Sequence, residues 1–265
     1  MRVAYTIILN GLRHLTHNDY YKTMIENFDL WVIVEGVAGN TGSTSWCQNL
    51  PETIHNNFIS NDGTSEYLDK LQSTYNNVRV IRPHSGPWAN KDEQVNAAIV
   101  EIKKTVKECY LWQVDIDEQW TLEQLNTAES ELNTNGGKTG CFYCNFFVGP
   151  NLIVKGDWGE GHITPYRRLW QWNGEDFETH EPPKLRGNNG PGLLLTPRFN
   201  HFAYYYKEDV MFKELYYSGY KGLYHRWQEL QDGNITYPCH ISNLLGRETW
   251  WGNTNTTIQK HEAAS

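Results

Sequence analysis

The sequence has no apolar run approaching the ~20 residues that a bilayer-spanning helix requires, so no transmembrane segment is expected. Basic runs are missing too: 23 Lys and Arg stand against 31 Asp and Glu, a formal net charge of −8. A surface of that sign repels nucleic acid and anionic lipid, and neither is an expected partner. The apolar start, Val3 to Leu9, is cut short by Asn10-Gly11, which makes it a first strand rather than a signal peptide. A soluble, cytoplasmic protein is the expectation. Five cysteines, an odd number, do not suggest a disulfide framework. Cys141 and Cys144 have zinc-ribbon spacing, but no second pair accompanies them, and residues three apart on a strand face opposite ways. Reduced, buried thiols are expected instead. No internal repeat, low-complexity tract or flexible linker divides the 265 residues, which read as a single domain.

Aromatic residues are plentiful, with 11 Trp, 16 Tyr and 9 Phe. Their flat faces fill cores, and they also stack well on sugar rings. The first half alternates in type. Val3–Leu9, Leu30–Val34, Val78–Ile81 and Tyr110–Val114 are strand-like; Asp19–Asn27, Tyr67–Tyr75 and Lys91–Lys107 are helix-like. The last of these places Val95, Ala98, Ile99, Ile102 and Val106 on one face. Such alternation predicts an α/β fold, a mostly parallel sheet flanked by helices. The second half is more irregular. Strands are expected over Thr139–Val148, Leu152–Lys155 and Arg168–Trp172, and helices over Lys207–Ser218 and Leu223–Leu230.

The fourth strand ends in Asp115-Ile116-Asp117-Glu118, three acids in four positions. Ligands of open α/β sheets bind at the carboxyl ends of the strands. Charges following a buried strand either turn out to solvent or hold a cation. Mg²⁺ or Mn²⁺ bound by one or two carboxylates and diphosphate oxygens fits the second case. On an acidic chain, an anionic ligand would need such a local cation.

These features resemble glycosyltransferases of the GT-A (Rossmann-like) fold, particularly family-2-like enzymes, with looser similarity to family 17. The resemblance runs from about Val3 to Leu230 as an ordered set of short motifs. Trp31-Val32-Ile33-Val34-Glu35-Gly36 looks like the second strand of that family, ending in an acid near the nucleobase. Asn90-Lys91-Asp92-Glu93-Gln94-Val95-Asn96 is similar to its phosphate-facing helix start. Val95 stands where the family has Arg, and Lys91 is the basic residue nearby. Arg167-Arg168-Leu169-Trp170, then Phe177-Glu178-Thr179-His180-Glu181, then Phe199-Asn200-His201-Phe202-Ala203-Tyr204 and Lys213 follow in the family's order.

The resemblance implies a metal-dependent enzyme that moves a sugar from a nucleoside diphosphate, UDP favoured, to a hydroxyl of a glycan or other acceptor, with inversion. Residues up to about 120 would bind the nucleotide sugar, and those from about 121 would form the acceptor side. Nucleotide-sugar contacts are expected from Ile8, Glu35, Lys91, Asn96 and Asp115. Asp117, with Asp115 and His201, would hold Mn²⁺ or Mg²⁺. Glu181 is the first candidate base, with Asp176 and Glu160 as rivals and His180 as its companion. Trp88, Trp120, Trp158 and Trp172 are candidate sugar platforms. Two other readings stay open: a lectin-like protein with Ca²⁺, on an all-β fold, and a nucleotidyltransferase, which would use paired acids and a glycine-rich loop after the first strand.

Overall fold

The computed structural model describes residues 1–155, 165–187, 190–249 and 253–261. Trp158 and Glu160 lie outside the described residues. In chain order the first elements are β1 (Arg2–Ile8), α1 (Leu12–Thr16), α2 (Tyr20–Asn27), β2 (Leu30–Glu35), α3 (Thr64–Thr74) and β3 (Val78–Ile81). Next come α4 (Lys91–Lys103), β4 (Cys109–Gln113), β5 (Glu118–Gln119), α5 (Leu122–Thr134) and β6 (Thr139–Phe142). The chain separates into two compact units here. Unit one is Met1–Cys141 with Arg167–Pro197, and unit two is Phe142–Tyr166 with Arg198–Ser265. Thus β7 (Cys144–Val148) and β8 (Leu152–Lys155) belong to the second unit. The chain then returns for β9 (Tyr166–Trp172), β10 (Phe177–Thr179), β11 (Lys184–Leu185) and β12 (Leu193–Leu194). It finishes in the second unit with β13 (Phe199–Tyr204), α6 (Lys207–Tyr216), α7 (Leu223–Gln231), β14 (Cys239–His240), α8 (Ser242–Leu245) and β15 (Thr257–Lys260).

The fold class is the expected mixed α/β, with a parallel-rich sheet in the first unit. Its order is β12-β6-β9-β4-β1-β2-β3, in which β4, β1, β2 and β3 run parallel and β9 lies antiparallel against β4. Apolar runs form these strands because both faces are covered: β2 is buried at all of its positions. On one face, Val95, Ala98, Ile99 and Ile102 of α4 pack with Val3, Val32, Leu111 and Trp170. That is the apolar stripe the helical spacing predicted. Parallel β1, β2, β3 and β4 bring Ile8, Glu35, Ile81 and Gln113 to one edge of the sheet, so the loops that follow them gather there.

The second unit is built on the order β14-β15-β8-β7-β13. Phe146, Val148, Leu152, Val154 and Ile258 form its core with Val210, Leu223 and Leu230 of α6 and α7.

Several local expectations change. Thr139–Val148 is two strands interrupted at Tyr143 rather than one, and the chain changes unit there. The two units interleave along the chain. None of the five cysteines forms a disulfide, and Cys47 and Cys141 are buried. Trp120 and Trp172 are buried to within 2% of full coverage and cannot floor a sugar site. Trp120 packs edge-on against Trp112 at 5.1 Å, and the Trp172 indole donates to the Glu175 carbonyl at 2.7 Å. Among the described residues, no helix is long and apolar enough to cross a membrane.

Candidate active site

All the residues of this site lie in the first unit. Beyond β4 the chain turns tightly, with the Glu118 amide donating to the Asp115 carbonyl at 2.9 Å. Asp suits the first position of such a turn. The turn aims Asp115 and Glu118 at the same cation, the guanidinium of Arg168. Arg168 Nη2 donates to Asp115 Oδ2 at 2.8 Å and to Glu118 Oε1 at 2.7 Å, and Arg168 Nε donates to Glu118 at 2.9 and 3.0 Å. The arginine reaches them because β9 runs antiparallel beside β4, with Leu169 opposite Trp112. Glu118 is fully buried and Arg168 is 4% exposed, so these two form a buried ion pair, with the half-buried Asp115 as its outer member. Two of the three acids at the strand end, Asp115 and Glu118, thus share a side-chain cation.

Asp115 is held from its other side as well. Gln113 Nε2 donates to Asp115 Oδ1 at 3.1 Å, and the Tyr5 hydroxyl donates to Gln113 Oε1 at 2.6 Å. Tyr5 and Gln113 are opposite one another in the β1–β4 register. Burial, and then the nearby Asp115, keeps the Tyr5 phenol protonated, with its pKa well above the usual range. The loop after β1 closes on this turn. A Cβ at Gly11 would lie 2.8 Å from Ile8 and 3.0 Å from Ile116, so only glycine permits the approach. Ile8 itself is buried under that loop.

The second arm of the site is the start of α4. Asn90 caps the helix by accepting from the Glu93 amide at 2.8 Å. Lys91 follows at the first helical position, against the preference of a helix N-terminus for negative charge. Burial lowers the ammonium pKa to about 8, while Asp115 and Cys47 pull it upward. Asp92 is a hub. It accepts from the Ser43 amide at 3.1 Å, the Ser43 hydroxyl at 2.6 Å and the His180 amide at 2.6 Å. Burial alone would raise the Asp92 pKa, but the bonds from Ser43 and His180 outweigh it and hold the carboxyl below its ordinary value. Gly42 sits at φ +64°, where a Cβ would collide with the Asp92 carboxylate.

His180 and Glu181 are suspended from this hub. The Glu181 amide donates to the Ser43 hydroxyl at 3.2 Å. One residue past β10, His180 is further steadied by Asn96, whose amide clamps both the N–H and the C=O of Phe177 at 2.9 and 3.0 Å. Burial, then Lys91, brings the imidazole pKa down to about 4, so the ring is neutral at pH 7. Its Nδ1 is buried with no hydrogen-bond partner among the described residues. Part of Glu181 faces solvent, yet the protein packed around its carboxyl raises the pKa, with Asp115 adding to the effect and Arg168 opposing it.

Lys91, His180 and Glu181 are thus each brought within electrostatic reach of Asp115, and His180 within that of Lys91. Asn96 is a clamp on β10 rather than a group in their midst. Asp176 is elsewhere. It pairs with Lys103 at 2.6 Å, and Lys103 lies 12 residues along α4 from Lys91, about 18 Å at 1.5 Å per residue. Glu35 is fully buried at the end of β2, and both of its oxygens are engaged. It accepts from Arg82 Nε at 2.6 Å, the Ser65 hydroxyl at 2.5 Å and the Ser60 amide at 3.2 Å. The Trp88 indole donates to the Glu35 carbonyl at 2.9 Å. His201 belongs to the second unit, ringed by Phe146, Tyr166 and Phe199 at centroid distances of 4.8, 5.4 and 6.0 Å.

Whether a divalent ion suits this donor set depends on the acids. Both oxygens of Asp115 already accept hydrogen bonds, and Asp117 is half-buried in the turn beside it. Among the described residues, no three His, Cys, Asp or Glu side chains are grouped to hold a metal. One carboxylate with diphosphate oxygens is still an ordinary arrangement for Mg²⁺.

No protein-family model matches the chain, and no curated protein does. Solved structures are similar at low identity. Staphylococcus aureus TarS 1-349 matches at 11% identity and a TM-score of 0.39, over 64% of this chain and 47% of that one. The same protein in complex with UDP-GlcNAc matches at 12% identity and a TM-score of 0.40. A 4-diphosphocytidyl-2C-methyl-D-erythritol synthase matches at 15% identity and a TM-score of 0.34, over 64% of this chain and 74% of that one. The chain spans about half the length of the TarS fragment it matches.

Proposed function

We propose that this chain is a nucleotide-sugar transferase, moving a sugar from a nucleoside diphosphate, UDP favoured, to an acceptor hydroxyl with inversion. One observation carries the reading. At the carboxyl edge of a parallel sheet, an acid turn is neutralised by Arg168 beside a half-buried lysine and a tethered His-Glu pair. Perturbed titratable groups gathered in this way mark functional sites more often than structural ones. The helix content speaks against the lectin-like alternative, which expects an all-β sandwich.

In this reading Lys91 meets the diphosphate, and its charge stabilises the nucleoside diphosphate as it leaves. Asp117 would hold Mn²⁺ or Mg²⁺ together with diphosphate oxygens, and the ion would add Lewis-acid neutralisation of the leaving group. Asp115 is oriented by Arg168 and Gln113, as a contact to the ribose requires. Glu181 takes the proton from the acceptor hydroxyl; its raised pKa makes it a stronger base than a solvated glutamate. Neutral His180 offers a hydrogen bond without adding a second charge next to Lys91.

The test is a thermal-shift screen of UDP-, GDP- and dTDP-sugars with and without Mn²⁺, since a ligand of the native state raises the midpoint. One sugar nucleotide should stabilise the wild type, and Asp117→Ala should lose both that shift and transfer while keeping its far-UV spectrum. Undiminished turnover in chelator would remove the metal from the mechanism. Indifference to every nucleotide would remove the reaction.

A further inference from the structure

The second unit carries a cleft of ≈ 810 Å³ that the proposed chemistry does not use. Every residue lining it belongs to that unit. Alternation along the strands produces it. One face of the sheet, with Phe146, Leu152, Val154 and Ile258, is covered by α6 and α7. Successive side chains point to opposite faces, so Asn145, Ile153, Lys155 and Gln259 share the other. Register brings them together, with Ile153 opposite both Phe147 and Gln259. The segment Ile235–Pro238 lines one side and makes the face concave.

The lining has a consistent chemistry. Lys155, Lys260 and His261 stand exposed around it, and none of the described lining residues is acidic. Among the described residues neither lysine has a carboxylate partner. On a chain of net charge −8 the described lining reverses the sign. Asn145, Thr236 and Gln259 add amide and hydroxyl groups suited to sugar hydroxyls. Tyr237 adds a ring that is held in place, its hydroxyl donating to the Leu230 carbonyl at 2.6 Å. His261 is also held, its backbone amide donating to the Asn151 carbonyl at 2.7 Å and its ring packing edge-on against Phe147 at 5.1 Å. The volume falls in the range of roughly 300–1,000 Å³ typical of small-molecule sites.

We propose that this cleft binds an acidic oligosaccharide, with Lys155 on a carboxylate, Lys260 adding its charge from the strand end, and Tyr237, Asn145 and Gln259 on its rings and hydroxyls. The proposal rests on the transferase reading only in taking that saccharide to be the acceptor. Binding is therefore measured without the reaction. The full chain is titrated by calorimetry with trigalacturonate, with maltotriose as the neutral trimer and with inorganic phosphate as the bare anion. Trigalacturonate should bind at least tenfold more tightly than either control. Lys155→Glu combined with Lys260→Glu, two exposed positions whose reversal leaves the core intact, should weaken it at least tenfold. Equal binding of maltotriose, equal binding of phosphate, or an unchanged affinity in the double variant overturns the proposal. Trigalacturonate binding by a protein that binds no sugar nucleotide upholds the cleft and overturns the transferase reading. Sugar-nucleotide binding without trigalacturonate binding does the reverse.

Discussion

The two ends of helix α4 carry the same pair of residue types and do opposite things with them. At its end, Lys103 meets Asp176 at 2.6 Å, with 37% and 46% of the two side chains exposed. Water solvates both charges, and such a pair contributes ~0–1 kcal/mol. At its start, Lys91 and Asp92 are drawn into the protein. The lysine falls to about 8, and the aspartate collects three hydrogen bonds from two other segments. Each end is joined to the chain that follows β9, by Asp176 at one and by His180 at the other. What separates a solvated ion pair from a candidate catalytic group is the depth of its surroundings rather than its chemistry.

The comparison breaks most severely at Arg168, the cation on which the deep end depends. Arg168→Met should cost about 3–5 kcal/mol in urea unfolding, because the fully buried Glu118 loses the guanidinium that bridges it to Asp115. A loss below about 1 kcal/mol would mean that the Arg168–Glu118 pair is not buried in solution. Asp92→Ala comes next. It removes the acceptor of the His180 amide and of Ser43, which in turn holds the Glu181 amide. Misplacing the base by about an ångström costs on the order of 100-fold in rate. Transfer should fall by that amount in kcat, with donor KM little changed, since Asp92 positions the pair and does not touch the donor. A change confined to KM would contradict that role.

Lys91 gives a smaller effect that depends on pH. Its ammonium is protonated below about 8 and neutral above. If it meets the diphosphate, kcat/KM for the donor holds level below that pH and declines by about tenfold per pH unit above it. Lys91→Arg keeps its charge throughout and should carry the plateau to higher pH. A wild-type profile that stays flat from pH 7 to 10 would detach Lys91 from the donor.

Much of the fold was legible because local patterns encode it. The runs in β1, β2 and β4 and the stripe on α4 needed only periodicity. Helix α5 was overlooked although its start carries a readable signature, Thr121 and Gln124 capping each other's amides at 3.2 and 2.8 Å. The site was legible in part. Asp115 could be placed at a strand end, but its cation could not, since Arg168 is 53 residues away and arrives only through the β4–β9 pairing. Glu35 looked like a base contact by its place at a strand end. Nothing local reveals that Arg82, Ser60 and Ser65 already occupy its oxygens. The choice among acids for the base had the same cause: Asp176 and Glu181 sit in similar polar loops, and only the length of α4 tells them apart.

That last distinction yields the smallest expected effect. Asp176→Asn keeps the size of the side chain and removes one charge from an exposed pair, so stability should change by less than about 0.5 kcal/mol. Transfer should remain within about twofold of wild type. A general base, by contrast, supplies roughly 100- to 10,000-fold, and Glu181→Gln should show a loss of that size. The two residues are five apart: Asp176 pairs with Lys103 at the end of α4, while the Glu181 amide donates to Ser43, which donates in turn to Asp92 at its start. If Asp176→Asn proved the damaging change and Glu181→Gln the silent one, the site would lie at the exposed end of α4, and the depth around Lys91 would be ordinary core burial.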